Sequence, residues 1–190
     1  SITFARQRFE RPRLDLSRLD DHMTRWAQRL LVSKVLVANQ TRIVEAMCDP
    51  HGERLPAVPE LGLYPTGAHW DDDERRAPAQ LEAAAWEIAA VLTSPMASAW
   101  LWHHGAGTGL SADAIRLSPV TLAALPWPSG DLRPAVAALR RGDVRGCARA
   151  IDRAYGVADD AELYEWWSAL LERIESRQPP ATTSVTRPAT

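Results

Sequence analysis

The clearest hydrophobic pattern in the chain is LLVSKVLVA, residues 30–38, a β-branched run of the length of a buried strand. A polar tip, Asn39, Gln40 and Thr41, separates it from a second run, RIVEAMCD, residues 42–49. The two runs predict a hairpin, and Asp49-Pro50-His51-Gly52 supplies turn chemistry into ERLPAV, residues 53–58. From Pro56 to Pro78, prolines and glycines break the pattern, predicting a loop or an inserted edge strand. Residues 79–92, AQLEAAAWEIAAVL, then repeat at helical spacing, with Leu81, Ala85, Ile88 and Leu92 on one face. Ser94-Pro95 interrupts, and MASAWLWHH restarts as a second helix because proline fits a first turn. GAGTG ends that helix, AIRLSP reads as a short strand, and VTLAAL as one helical turn before Pro126-Trp127-Pro128.

Upstream, Ser17 is the expected N-cap of a helix through Leu19, Met23, Trp26 and Leu30. Residues 1–16 read as an extended basic arm, since Pro12 opposes a helix. Downstream, residues 131–143, 143–156 and 160–174 give three helical patterns parted by glycine-containing breaks. The expected organisation is therefore an arm over 1–16, a domain over 17–128, a helical region over 129–176 and a Pro/Thr-rich disordered tail over 177–190. The fold class is α+β: a curved strand and hairpin domain packed on helices, followed by a small helical subdomain.

Composition narrows the function more than the fold. Hydrophobic residues make up 46% of 190, enough for a real core, and no apolar run has the length of a membrane span. Cys48 and Cys147 lack a CxxC spacing, which together with the absence of a leader pattern reads as reduced thiols in a cytoplasmic protein. The net charge of -2 hides segregation: residues 1–42 and 111–150 are net positive, and 43–110 and 151–190 net negative. Lys34 is the single lysine among 22 cationic residues, so the positive charge is guanidinium, which suits phosphate and the guanine edge. GC-rich codon usage gives the same bias, and composition alone does not separate the two readings.

No catalytic constellation emerges. His103 and His104 are adjacent, on different faces of a helix, and His22, His51 and His69 have no ligand spacing. The run Asp71, Asp72, Asp73, Glu74 lacks the alternating oxygens of a calcium loop. GAGTG follows a helix and has no Lys-Ser/Thr, so it reads as a helix end and not a phosphate cradle. Neither a metal nor a cofactor is expected in this chain. Of eight tryptophans, most fall on apolar stripes and read as core, while Trp70 in the charged loop is the expected exposed one.

Three segments in order carry a resemblance: residues 30–58, residues 89–101 (AAVLTSPMASAWL) and residues 109–128 (GLSADAIRLSPVTLAALPWP). They resemble, respectively, the strand-hairpin opening, the helix break (with Thr93 where Asn is usual) and the closing strand of the target-recognition domains of adenine-N6 DNA methyltransferases. The restriction-modification specificity subunits and the TaqI-like C-terminal specificity domain belong to the same group. The resemblance implies a chain that reads duplex DNA as the C-terminal part, or separate partner, of a methyltransferase. It also implies a catalytic domain, in cis or in trans, that holds S-adenosylmethionine, because the glycine-rich cofactor loop and the Asn/Asp-Pro-Pro-Tyr/Phe motif do not occur here.

The residues make a separate case for DNA. Amide side chains pair with adenine and guanidinium with guanine, which makes Asn39, Gln40 and Arg42 at the hairpin tip candidate base contacts. Arg116 and the arm residues Arg6, Arg8, Arg11 and Arg13 are candidate phosphate contacts, and Lys34 is a further candidate DNA contact. Against these stand an ordinary hairpin turn and a solvated arm. A reading from another class is a protein-interaction or dimerisation module without DNA binding.

Overall fold

The computed structural model describes residues 2–4, 7–9, 15–68, 76–105, 107–109, 114–157 and 160–176. Its architecture is α+β, as the hydrophobic pattern predicts. The N-terminal segment is not simply extended: β1 (Ile2–Phe4) and β2 (Gln7–Phe9) form a small antiparallel sheet, with Thr3 opposite Arg8. A 3-10 turn at Leu16–Arg18 precedes α1 (Asp21–Leu30). The helix starts three residues later than the Ser17 cap would place it. Asp20 is the N-cap, its Oδ1 accepting the Met23 amide at 2.7 Å, whereas Asp15 draws Ser17 into the preceding turn.

The central strand is β3 (Lys34–Ala38), all five residues of which are buried. It pairs antiparallel with β5 (Ala46–Asp49) on one side and β6 (Glu60–Leu63) on the other, so the hairpin is present and β6 is the inserted edge strand. Residues 53–58 form no strand; the Pro56 ring withholds a ladder donor, and the third strand begins only at Glu60. The turn between β5 and this stretch needs Gly52. At φ 66°, its missing Cβ would stand 2.6 Å from the Leu31 and Val32 backbone.

Helix α2 (Pro78–Leu92) lies between two cores. Ala85, Ala89 and Leu92 pack with Val35 and Val37 of the sheet, as the sequence stripe predicts. Ala90 and Val91, on another face, pack with Ala135, Ala138, Cys147 and Ile151 from α5 (Arg133–Arg140) and α6 (Val144–Ala154). Alanine makes this possible: small side chains let both neighbours approach closely without voids. Helix α3 (Pro95–Gly105) follows the Thr93-Ser94 break, where Ser94 Oγ donates to Val91 and accepts the Ala97 amide, capping the new helix. Helix α7 (Ala161–Glu175) packs on α3, with Trp167 meeting Ile43 and Ala148. The short pair β4 (Gln40–Thr41) and β7 (Ile115–Arg116) and the turn α4 (Pro119–Ala123) complete the fold.

Tryptophan burial departs from the sequence expectation. Among the described residues only Trp167 is buried, whereas Trp26, Trp127 and Trp166 are exposed. Trp70 and the tail 177–190 lie outside the described residues. No described helix is long and apolar enough to cross a membrane.

Candidate nucleic-acid interface

The chain leaves the end of β3 at Asn39, and it does not turn back at once. Gln40 and Thr41 instead pair with a strand from the far side of α3: Gln40 lies opposite Arg116, and Thr41 opposite Ile115. Side chains alternate along a strand and directly opposed residues share a face, so one pair faces the core and the other faces solvent. Thr41 and Ile115 are the buried members; Gln40 and Arg116 are exposed. Their Cβ atoms therefore stand about 4.5–5.5 Å apart on the same outward face. An amide and a guanidinium far apart in sequence thus form one ledge.

The ledge is held rigidly from behind. The Leu117 amide donates to the Asn39 carbonyl at 2.8 Å, and the Asn39 amide to Pro59 at 2.9 Å. Thr108 Oγ1 donates to the Gly105 carbonyl at 2.6 Å and accepts the Arg116 amide at 3.2 Å, fastening β7 to the end of α3. Arg42, half-buried, follows immediately and is positioned by two residues one turn apart on α3. Ser98 Oγ accepts the Val44 amide at 3.2 Å, and Trp102 Nε1 donates to the Arg42 carbonyl. Thr41 Oγ1 donates to Ile43 and faces a Glu45 carboxyl oxygen at 2.9 Å. Ser98 and Trp102 could not be assigned this role from sequence, since their partners are backbone atoms more than fifty residues away.

Of the sequence-derived contact residues, Asn39, Gln40, Arg42 and Arg116 are brought together here. Lys34 is not. Its side chain is 0% exposed, and Nζ pairs with Asp49 Oδ2 at 2.6 Å and donates to the Val32 carbonyl at 3.2 Å. Its charge is spent inside the fold, which corrects the expectation that it contacts DNA. Asp49 also accepts the Glu53 and Arg54 amides, so this ion pair organises the turn around Gly52. Arg6, Arg11 and Arg13, and the side chain of Arg8, lie outside the described residues.

A second feature was not legible as a site in the sequence. A cleft of about 650 Å³ opens between α1, the start of α2 and the segment around Gly67. His22, Arg25, Trp26 and Arg29 line it from positions spaced three, four and seven apart, which is one face of α1. That spacing normally carries the apolar stripe of a packed helix. Arg76 completes the wall, while Val32 and Leu81 give it an apolar base. Like charges at i and i+4, as at Arg25 and Arg29, cost a helix about 0.2–0.5 kcal/mol.

Burial pushes the Cys48 and Cys147 thiols up to about 12, helped at Cys48 by Asp49 and at Cys147 by Asp143 and Asp152. Both are free thiols, as expected. No group of three or more metal-binding side chains occurs among the described residues. No protein-family model, curated protein or solved structure matches the chain.

Proposed function

We propose that the chain recognises double-stranded DNA in a sequence-specific manner, serving an adenine-N6 methyltransferase domain in cis or in trans. The observation that carries this reading is the pairing of Gln40 with Arg116 on one exposed face. Glutamine makes a bidentate contact with adenine in the major groove and arginine with guanine, so adjacent placement lets the ledge read neighbouring base pairs. Asn39 and Arg42, both half-buried, flank β4 in the chain and are further candidate contacts. The three segments that resemble recognition domains also share one core: Val35 and Val37, Ala89 and Leu101, and Ile115, Leu117 and Leu122 pack in a single cluster. On this reading the methyl donor, S-adenosylmethionine, and the transfer chemistry belong to the catalytic domain.

The test is titration of the chain against a randomised duplex pool at two salt concentrations, with sequencing of the bound DNA. Enrichment of a short adenine-containing motif and steep salt dependence support the proposal. A second reading, a protein-interaction module without DNA binding, draws on Val120 and Trp127, which are 80% and 52% exposed. Salt-insensitive self-association without DNA binding would favour it.

A further inference from the structure

Helix α7 covers Ile43, the residue after Arg42. Trp167, 1% exposed, meets Ile43 and Ala148, with Tyr164, Leu171 and Ile174 packed around the contact. This cluster is separate from the two cores that α2 shares with the sheet and with α5 and α6. We propose that α7 is a releasable strap, which undocks as a unit while the rest of the fold stays intact and thereby uncovers Ile43 beside the ledge.

The docking face of α7 lacks hydrogen-bond partners. Tyr164 Oη, Trp167 Nε1 and Ser168 Oγ, at i, i+3 and i+4 and so on one face, are buried and unpaired among the described residues. Water would satisfy all three on release, so their burial opposes docking. Little apolar burial stands against that: Trp167 is the one buried residue of fifteen in α7, whereas α2 buries six of its fifteen. The ion pairs to α6, from Arg145 to Glu172 and Glu175 at 3.5 and 3.6 Å, join exposed side chains and are weak for that reason. At its ends α7 is capped from within its own segment: Asp160 Oδ1 accepts the Leu163 amide, and Ser176 Oγ donates to the Arg173 carbonyl. Helix α6 has already ended at Ala154, and Gly156 at φ 76° turns the chain, so α7 can leave without unwinding α6. Few buried side chains and weak ties mark a segment that opens below the energy of global unfolding.

Release acts on the ledge through one short stretch. The Ile43 carbonyl accepts the Thr41 hydroxyl, and Trp102 donates to the Arg42 carbonyl. Where this stretch contacts duplex, as proposed above, bound DNA and docked α7 favour each other by the same factor. The release itself does not rest on that reading.

Hydrogen exchange of the full chain, resolved by mass spectrometry of α2 and α7 peptides, tests the strap. Protection of α7 amides is expected to lie at least about a hundredfold below that of α2. Val37→Ala, in the sheet core, should lower α2 protection by about tenfold and leave α7 protection unchanged, because α7 opens with that core intact. Tyr164→Phe with Ser168→Ala deletes two unpaired hydroxyls, keeps the ring beneath Arg149, and should raise α7 protection by at least about tenfold. Far-ultraviolet circular dichroism checks that each variant folds. A duplex that the chain binds should raise α7 protection; binding without that rise would overturn the coupling to the ledge. The free-chain measurements need no DNA, so failure of the strap is distinguishable from failure of duplex recognition. Equal protection of α7 and α2, a parallel loss in both with Val37→Ala, or no gain from the double substitution would overturn the proposal.

Discussion

Replacing Lys34 by methionine tests whether its charge is structural. The substitution keeps the length of the side chain but leaves Asp49, 3% exposed, as a buried carboxylate held only by the Glu53 and Arg54 amides. Breaking a buried ion pair in this way costs about 3–5 kcal/mol, a large share of the roughly 5–15 kcal/mol that holds a domain together. Asp49→Asn strands the ammonium instead and is expected to cost a similar amount. The double variant removes both charges and keeps one amide oxygen, which can accept one of the two backbone amides that bond separate oxygens of Asp49. It should therefore cost at least about 1 kcal/mol less than the sum of the singles, a coupling typical of groups in direct contact. Urea denaturation followed by circular dichroism at 222 nm, extrapolated to water, supplies all three values. A loss below about 1 kcal/mol for Lys34→Met, or strict additivity, would refute the reasoning. In the same experiment, duplex affinity of the folded Lys34→Met protein should match that of the parent chain, since the ammonium has no exposed surface.

Other expectations follow from the same geometry. Arg116→Ala should cost about 1–3 kcal/mol of duplex affinity and relax preference at one base position, read by sequencing bound DNA; equal loss on every sequence would reassign it to phosphate. Gly52→Ala combines a positive φ with an approach of 2.6 Å to the Leu31 and Val32 backbone, and should destabilise by about 2–5 kcal/mol in urea melts. Alkylation of Cys48 and Cys147 at pH 8 should be at least about a hundredfold slower in the folded chain than in urea, because the folded thiols sit near 12 against about 8.5 unfolded. The same shifts hold protons more tightly in the folded state, so stability should fall as pH rises from about 8.5 towards 12, seen as a drop in the urea midpoint. Tyr155→Phe removes the 2.7 Å bond donated to the Pro126 carbonyl and should cost about 1 kcal/mol.

What was legible in the sequence was what repeats locally. The α2 stripe, the Ser94-Pro95 break and the β3 run each follow from spacing within a few residues, and the structure has them. Gln40, Arg42 and Asn39 were legible as a polar tip, but not their union with Arg116, because a two-residue strand has too short a period to announce its partner. Lys34 was misplaced for a physical reason: a lone cation in an apolar run looks exposed until its carboxylate, Asp49, is seen across the ladder. The tryptophans failed differently. A helical stripe tells which residues share a face but not whether a later element covers that face, and none buries Trp26 or Trp166. The α1 cleft escaped because part of its wall comes from Gly67, Ala68, Arg76 and Leu81, far from α1 in the chain.

The β4–β7 pairing joins residues that flank the sheet's outer strands, β5 and β6, and the helices α2 and α3 in the chain order. Closing so distant a pair costs loop entropy, which the packing of the elements between them offsets, so the ledge depends on that packing. Whatever grips Gln40 and Arg116 together therefore binds the folded chain in preference to the unfolded one. Occupancy would raise the melting temperature of the sheet and helices together by mass action, so thermal shift of the entire chain can be used to screen for what the ledge holds.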